Sequence, residues 1–341
     1  MYYFINDYNE IMHEKILDAI TKNNMVQTKG YGDDKFCDEA KELIKKSFCC
    51  PNSDVYFFMA GTQTNLTIID AMLTRSFEAV IAVDTAHINV HEGGAIEASG
   101  HKIMDCPNEN GKLNPKYIEK IMEVNLKDDH MSLPKAVYIS NSTELGSIYK
   151  LDELKAIWEM CKKYDLYLFL DGARLGSALC SDKNDIKKEV LAKYTDVFYI
   201  GGTKNGAPMG EAVVINNDAL KKEFTRQMKC RGSISAKSKI IGISFAELFR
   251  DNLYFELAKY ANDLAIKIYG KLKSKYKFYS EVESNQIFME ISNAQIEKLK
   301  QSFAVEVPYA LDEKTSVIRI VTSWATDAKK VDELIELLLN M

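Results

Sequence analysis

No apolar run in this 341-residue sequence approaches the ~20 residues that a membrane-spanning helix requires. Positive charge is not in surplus either. Lys and Arg number 44 against 49 Asp and Glu, a net charge of −5, which removes the basic surface expected of a nucleic-acid or anionic-lipid binder. The amino-terminal MYYFINDYNE has neither a basic start nor a long apolar segment, so no secretory leader is expected. The seven cysteines (Cys37, Cys49, Cys50, Cys106, Cys161, Cys180 and Cys230) include no CxxC pair, and adjacent Cys49 and Cys50 are poorly placed for a disulfide. Reduced thiols and a cytoplasmic location are the expectation. No cluster of zinc ligands is visible, and no bound metal is expected. Both G-x-G-x-x-G and G-x-x-x-x-G-K-[ST] are missing, so dinucleotide and P-loop readings lose their usual support.

What remains is an ordinary globular composition. Apolar residues are 46% and charged residues 27%, at a length that suits two domains or one large one. Short β-rich runs alternate with longer amphipathic stretches. The runs are 54–59, 79–84, 101–106, 135–140, 166–171, 196–200 and 211–216, and helical patterns such as 62–77 and 151–164 lie between them. In the second helical pattern Leu151, Leu154, Ile157, Trp158 and Cys161 share one face. Strands alternating with helices predict an α/β fold with a largely parallel sheet. After about residue 240 the pattern changes to a long helical stretch, 240–274, then short strands at 286–291, 303–307 and 316–321 and a last helix over 327–339. This predicts a separate, smaller α+β unit.

In open α/β sheets ligands bind beyond the carboxyl ends of the strands. Gly61, Thr62, His87, Asn141, Asp171, Arg174, Thr203 and Lys204 all follow strand runs, so one pocket can collect them. Lys204 sits in 199-YIGGTKNGAPMGE-211, where glycines allow close backbone approach. Held away from solvent, its amine can lose a proton and attack an aldehyde. That segment alone reads equally as a surface loop. Asp171 ends an apolar strand, where a carboxylate needs a partner. A protonated pyridine nitrogen is one; capping the next helix or pairing with Arg174 are others. His87 offers a flat ring and acid–base capacity near neutrality. His91 and Glu92 follow one helical turn later without an evident third metal ligand. The segment 60-AGTQTN-65 opens a helix whose N-terminus favours phosphate, although Thr62 as a plain N-cap explains it too.

Taken in chain order, 31-YGDD-34, 60-AGTQTN-65, 86-AHINVHEGG-94, 171-DGARLGSA-178 and 203-TKNGAPMG-210 resemble the threonine-aldolase and β-eliminating-lyase branch of the fold-type-I pyridoxal-phosphate enzymes. The similarity runs from the N-terminus to about residue 245, and the remainder fits that family's small domain. The resemblance implies a large cofactor-binding domain over 1–243, with a mostly parallel seven-stranded sheet, and a small C-terminal α+β domain over 244–341. It implies pyridoxal 5'-phosphate held by Lys204 as a Schiff base. Asp171 would face the pyridine nitrogen, and His87 would stack on the ring and be available for acid–base steps. Gly61, Thr62 and Thr203 would help to hold the cofactor, and Arg174, Arg319 and Asn6 the substrate carboxylate. Tyr31, Lys229 and Arg231 would reach the site of a neighbouring subunit in a homotetramer, a dimer of dimers, and Lys237 is a further candidate for such contacts.

The implied reaction is cleavage of the Cα–Cβ bond of a β-hydroxy amino acid, threonine or allo-threonine giving glycine and acetaldehyde. The same fold also carries β-elimination or amino transfer on another amino acid, or cofactor binding without turnover. Two departures stand out. The run 140-SNSTELGS-147 has no histidine where the family usually has one near the β-hydroxyl, leaving Glu144 or His91 as substitutes, and Ala60 replaces the usual phosphate-loop serine.

Overall fold

The computed structural model describes all 341 residues. Its strands are, in chain order, β1 (Tyr2–Tyr3), β2 (Asp54–Phe58), β3 (Glu78–Val83), β4 (Lys102–Cys106), β5 (Leu133–Ser140), β6 (Tyr167–Asp171), β7 (Val197–Gly201), β8 (Glu211–Ile215), β9 (Gln286–Ser292), β10 (Phe303–Ala304), β11 (Glu306–Ala310) and β12 (Thr315–Val321). Seven of them form one sheet in the order β2-β8-β7-β6-β5-β3-β4. The pairs β4–β3, β3–β5, β5–β6 and β6–β7 are parallel, and β8 runs antiparallel to both β7 and β2. This is the mostly parallel seven-stranded sheet expected from the alternating pattern.

The sequence shows why these strands are central. Every residue of β3, β7 and β8 is buried, because helices cover both faces of the sheet and both sides of each strand must be apolar. β4, at the sheet edge, keeps Lys102 and Asp105 exposed beside its buried residues instead. The covering helices carry ordinary start signals. Asp34, for example, accepts from the backbone N–H groups of Phe36 and Cys37 at 3.0 and 3.1 Å and opens the helix Lys35–Ser47.

The C-terminal part builds a second, three-stranded antiparallel sheet, β11-β12-β9, flanked by the helices Asn293–Leu299 and Ala328–Leu339. Its apolar cluster includes Leu264, Ile287, Ile318 and Leu334 and is separate from the main cluster, which extends to Leu257. Two features divide the core differently from the 1–243 and 244–341 partition. β1 pairs in parallel with β10, and Phe4 is fully buried in the second cluster, so the first residues belong with the smaller unit. The changeover also falls inside the helix Leu253–Leu272, between Leu257 and Leu264.

Three expected elements differ in detail. The helical stretch 240–274 is two helices, Lys239–Arg250 and Leu253–Leu272, broken where Asn252 takes a left-handed φ of 58°. The run 303–307 is divided between β10 and β11. The helix after β2 ends at Met72, short of Phe77.

Candidate active site

Parallel strands place their carboxyl ends on one edge of a sheet. His87 follows β3, Glu144 follows β5, Asp171 closes β6, and Lys204 follows β7. β2 is antiparallel to β8, which is antiparallel to β7, so β2 points the same way as β7 and brings Gly61 and Thr62 to that edge. For the same reason the first residue of β8, Glu211, lies opposite both Phe58 and Gly201 there. These residues line one cleft of about 300 Å³, together with Tyr8, Asn65, Arg174, Tyr199 and Thr203. Two roomier clefts, about 630 and 700 Å³, lie elsewhere; neither takes in the strand ends that bear Lys204 and Asp171.

Close backbone approach shapes this edge. A Cβ on Gly172 would sit 1.8 Å from the Tyr199 carbonyl oxygen, and one on Gly201 would sit 2.2 Å from that of Ala173. The two glycines let the loop beyond β6 lie against the end of β7, which brings Asp171 and Lys204 to one cleft.

Asp171 is buried, and three donors serve its carboxylate. Tyr138 Oη–H donates to Oδ2 at 2.5 Å, Asn65 Nδ2 to Oδ2 at 3.1 Å, and the Ala173 backbone N–H to Oδ1 at 2.9 Å. Such bonds satisfy a carboxylate that would otherwise be buried without partners. Burial first, then the Arg174 guanidinium, lowers the pKa of the neighbouring Lys204 amine. Glu211 is the counterpart, raised to about 8 by burial although it accepts from the Gly202 N–H at 3.0 Å. The pair therefore favours a neutral, nucleophilic amine beside a protonated acid.

His87 Nδ1 lies 2.8 Å from Glu92 Oε1, and Asn65 Nδ2 donates to that same oxygen at 2.7 Å. Glu92, which with His91 hinted at a metal in the sequence, bonds to His87 instead, and no group of three His, Cys, Asp or Glu side chains is arranged to hold a metal ion. Glu144 Oε1 accepts from the His87 backbone N–H at 3.0 Å and from Ser140 Oγ at 2.7 Å. Burial, opposed by the Ser140 bond and aided by Asp171, raises its pKa. His91 does not bond to His87; their rings are 5.6 Å apart.

Arg174 pairs with neither Asp171 nor open cleft on its main fork. Its Nε and Nη2 donate to Asp7 Oδ2 and Oδ1 at 2.7 and 3.0 Å, and Asn285 Nδ2 joins Asp7 at 2.9 Å. Arg319 forms an ion pair with Glu306 and donates to the Ile5 carbonyl at 3.3 Å. Its pKa is lowered by burial and then by Arg174, so the two guanidinium groups sense each other. Asn6 accepts from the Tyr8 N–H at 2.9 Å, closing a local turn, and does not line the cleft as Tyr8 does. Thr203 Oγ1 accepts from the Gly210 N–H at 3.0 Å and braces the Lys204 turn.

The three residues expected to serve a neighbouring site, Tyr31, Lys229 and Arg231, lie outside the cleft of their own chain. Lys229 Nζ sits 4.8 Å from the exposed Tyr31 ring centroid, and Arg231 makes a two-bond fork to Asp70 at 2.7 Å each. Lys237 is placed near Gly30 on the wall of the 630 Å³ cleft.

Comparison with known proteins follows this geometry. The family model described as "Beta-eliminating lyase" matches residues 12–310. The chain belongs to the β-eliminating lyase family. Within it, the chain is 31% identical to the low specificity L-threonine aldolase of Pseudomonas sp. (strain NCIMB 10558), over 93% of this chain and 91% of that one. A solved threonine aldolase structure from Leishmania major superposes with a TM-score of 0.98 at 43% identity, covering 100% of this chain and 99% of the other. The fold extends further: an aromatic aminotransferase of Pyrococcus horikoshii, 16% identical, gives a TM-score of 0.72 over 99% of this chain and 95% of that one.

The chain therefore has the fold of the pyridoxal-phosphate-dependent enzymes, and its cleft fits their cofactor on its own terms. The helix Gly61–Met72 begins at Ala60, which gives no side-chain cap, so N–H groups of its first turn are left for a phosphate at the cleft wall. A donor-braced carboxylate and an amine of lowered pKa border the same space.

Proposed function

We propose that the protein is a threonine aldolase of low specificity that uses pyridoxal 5'-phosphate, with Lys204 as the lysine that carries the cofactor. The observation that carries this reading is the convergence of an amine of lowered pKa, a braced carboxylate and an uncapped helix N-terminus on one cleft. Relatives named as threonine aldolases over nearly the whole chain support it. When bound, the cofactor supplies an electron-accepting ring joined to the substrate nitrogen.

The chain's own residues do the rest. Asp171 offers a carboxylate braced by three donors at the cleft floor, suited to a protonated ring nitrogen. Gly61 and Thr62 face the phosphate from the helix start, and Thr203 holds the turn that presents Lys204. Arg174 Nη1, unoccupied by the Asp7 fork, and Arg319 provide positive charge for the substrate carboxylate. His87, whose Nε2 edge is left to the cleft, and Glu144, whose hydrogen bonds all go to Oε1, are placed to take the β-hydroxyl proton. As that proton leaves, Cα–Cβ opens and the β-carbon becomes the aldehyde; a proton delivered to Cα completes glycine. Threonine is thereby divided into glycine and acetaldehyde with no other reactant.

A homotetramer, in which Tyr31, Lys229 and Arg231 approach a neighbour's cleft, and a cytoplasmic location belong to the same proposal. Exposed Tyr31 and its cation partner Lys229, turned away from their own cleft, support it. β-Elimination on the same fold remains the second reading, favoured by the missing histidine in 140–147.

The deciding experiment is turnover of L-threonine and L-allo-threonine by the purified protein with aldehyde detection, alongside the visible absorbance of lysine-bound cofactor. Acetaldehyde and the absorbance, both lost in Lys204→Ala, are expected, together with a sedimentation mass near fourfold the 38.7 kDa chain. Pyruvate in place of acetaldehyde would move the assignment to the eliminating reaction. Persistence of the absorbance in Lys204→Ala would overturn the lysine.

A further inference from the structure

Glu92 takes no direct part in the reaction proposed above, yet its side chain is fully buried beside the cleft. One of its oxygens gathers two donors. Asn65 Nδ2 lies 2.7 Å from Oε1, and His87 Nδ1 lies 2.8 Å from the same atom. The second oxygen, Oε2, is buried without a partner.

The Asn65 amide decides which way the protons point. Its Nδ2 touches two carboxylates, Glu92 at 2.7 Å and Asp171 at 3.1 Å, while its Oδ1 touches nothing. Turned over, it would set a carbonyl oxygen against both acids. So it donates to both, and Glu92 Oε1 is an acceptor. With Glu92 as a carboxylate, the form that the His87 and Asn65 bonds favour against burial, a ring nitrogen 2.8 Å from such an acceptor carries its own hydrogen. With Nδ1 protonated, the neutral imidazole of this cleft-lining residue leaves Nε2, on the opposite ring edge, as a lone-pair acceptor.

We propose that Glu92 is a positioning residue that fixes His87 in the Nδ1–H form, with Asn65 fastening Glu92 to Asp171. His87 Nε2 is thereby held ready to accept a proton, and its ring plane is set relative to the carboxylate at the cleft floor. The use of that acceptor for a β-hydroxyl rests on the aldolase reading; the tautomer does not. The other polar neighbours act differently. Glu144 accepts from the His87 backbone, not its ring, and His91 is 5.6 Å away ring to ring.

The test is imidazole ¹⁵N spectroscopy of the holoenzyme, with the His87 signal assigned by its loss in His87→Asn, combined with steady-state kinetics. Wild type is expected to show the Nδ1–H form. Glu92→Met, which keeps length and removes the acceptor, is expected to release it toward the Nε2–H form. Its kcat on threonine should fall by about 10- to 100-fold, less than the ~100- to 10,000-fold of an acid–base group removed outright because His87 itself stays, with KM changed less than about twofold. Glu92→Gln retains an oxygen for Nδ1–H and should recover most of kcat and the Nδ1–H signal, which also guards against a folding defect in the methionine variant. An unchanged His87 signal in Glu92→Met, or an Nε2–H form already in wild type, would overturn the proposal. If wild type releases no acetaldehyde the aldolase reading fails, and the ¹⁵N signals still decide the role of Glu92.

Discussion

Lys204 and Glu211 illustrate how a residue is tuned by what surrounds it. Burial penalises both charged forms, lowering the amine and lifting the acid to about 8. Below that value Glu211 is mostly neutral; above it, its new negative charge favours a proton on Lys204. The capture of free pyridoxal phosphate by cofactor-stripped protein, which needs the neutral amine, should therefore show an inflection near pH 8. In Glu211→Gln, which keeps an oxygen for the Gly202 N–H, that inflection should vanish while capture persists at lower pH. An unchanged profile would mean that Glu211 does not titrate in this range. The same two residues show what a strand-end rule reads from sequence and what it passes over. Lys204 and Asp171 follow the ends of parallel strands and were visible. Glu211 starts a strand, and only the antiparallel placement of β8 carries a strand start to the active edge. Glu92 was visible as a polar residue next to His91, but its bond is to His87, made across the short turn His87–Val90.

At the scale of elements, hydrophobic patterning located all seven strands of the main sheet to within about two residues, because buried parallel strands need apolar side chains on both faces. Two-residue β1 is too short to show any period, and the break at Asn252 has neither proline nor glycine to announce it. The contact between the loop beyond β6 and the end of β7 is likewise silent in the sequence, which shows glycines without saying what crosses them. That contact makes a sharp prediction. A Cβ on Gly172 would lie 1.8 Å from the Tyr199 carbonyl, a backbone atom that cannot rotate away. Gly172→Ala should thus force β6 and β7 apart, and a loss of about 1–3 kcal/mol or more is expected from overpacking alone. Since Asp171 and Lys204 sit on the two displaced segments, cofactor retention should fall along with the melting temperature. Gly270, on a surface with nothing within 4 Å of its added Cβ, is the control, and Gly270→Ala should keep the cofactor. Retention of full stability and cofactor by Gly172→Ala would show that the approach is not needed.

The whole molecule is two apolar clusters joined by a helix and by a polar clasp. Asp7, next to the N-terminal strand of the smaller cluster, grips Arg174 just beyond β6 of the larger one and accepts from Asn285 near β9. The N-terminal run 6-NDY-8 has no periodicity, so Asn6 drew attention through a resemblance while Asp7, the residue that makes the clasp, did not. Burial works to raise the Asp7 pKa, but Arg174, followed by Lys204, prevails and holds it below the ordinary 3.8. An acid whose folded value is depressed stabilises the fold above its unfolded value and loses that contribution as pH falls through the folded one. Asp7→Asn leaves the buried Arg174 charge without its counterion, and removing one partner of a buried pair costs about 3–5 kcal/mol. Chemical denaturation at neutral pH should register that loss. As pH is lowered through the carboxylate range, wild type should surrender its advantage and the two stability curves should converge. Because Arg174 also faces the cleft, freeing its fork should raise KM for the amino acid as the guanidinium loses its fixed direction. Parallel stability curves across the acid range would mean that the clasp is not what joins the two clusters.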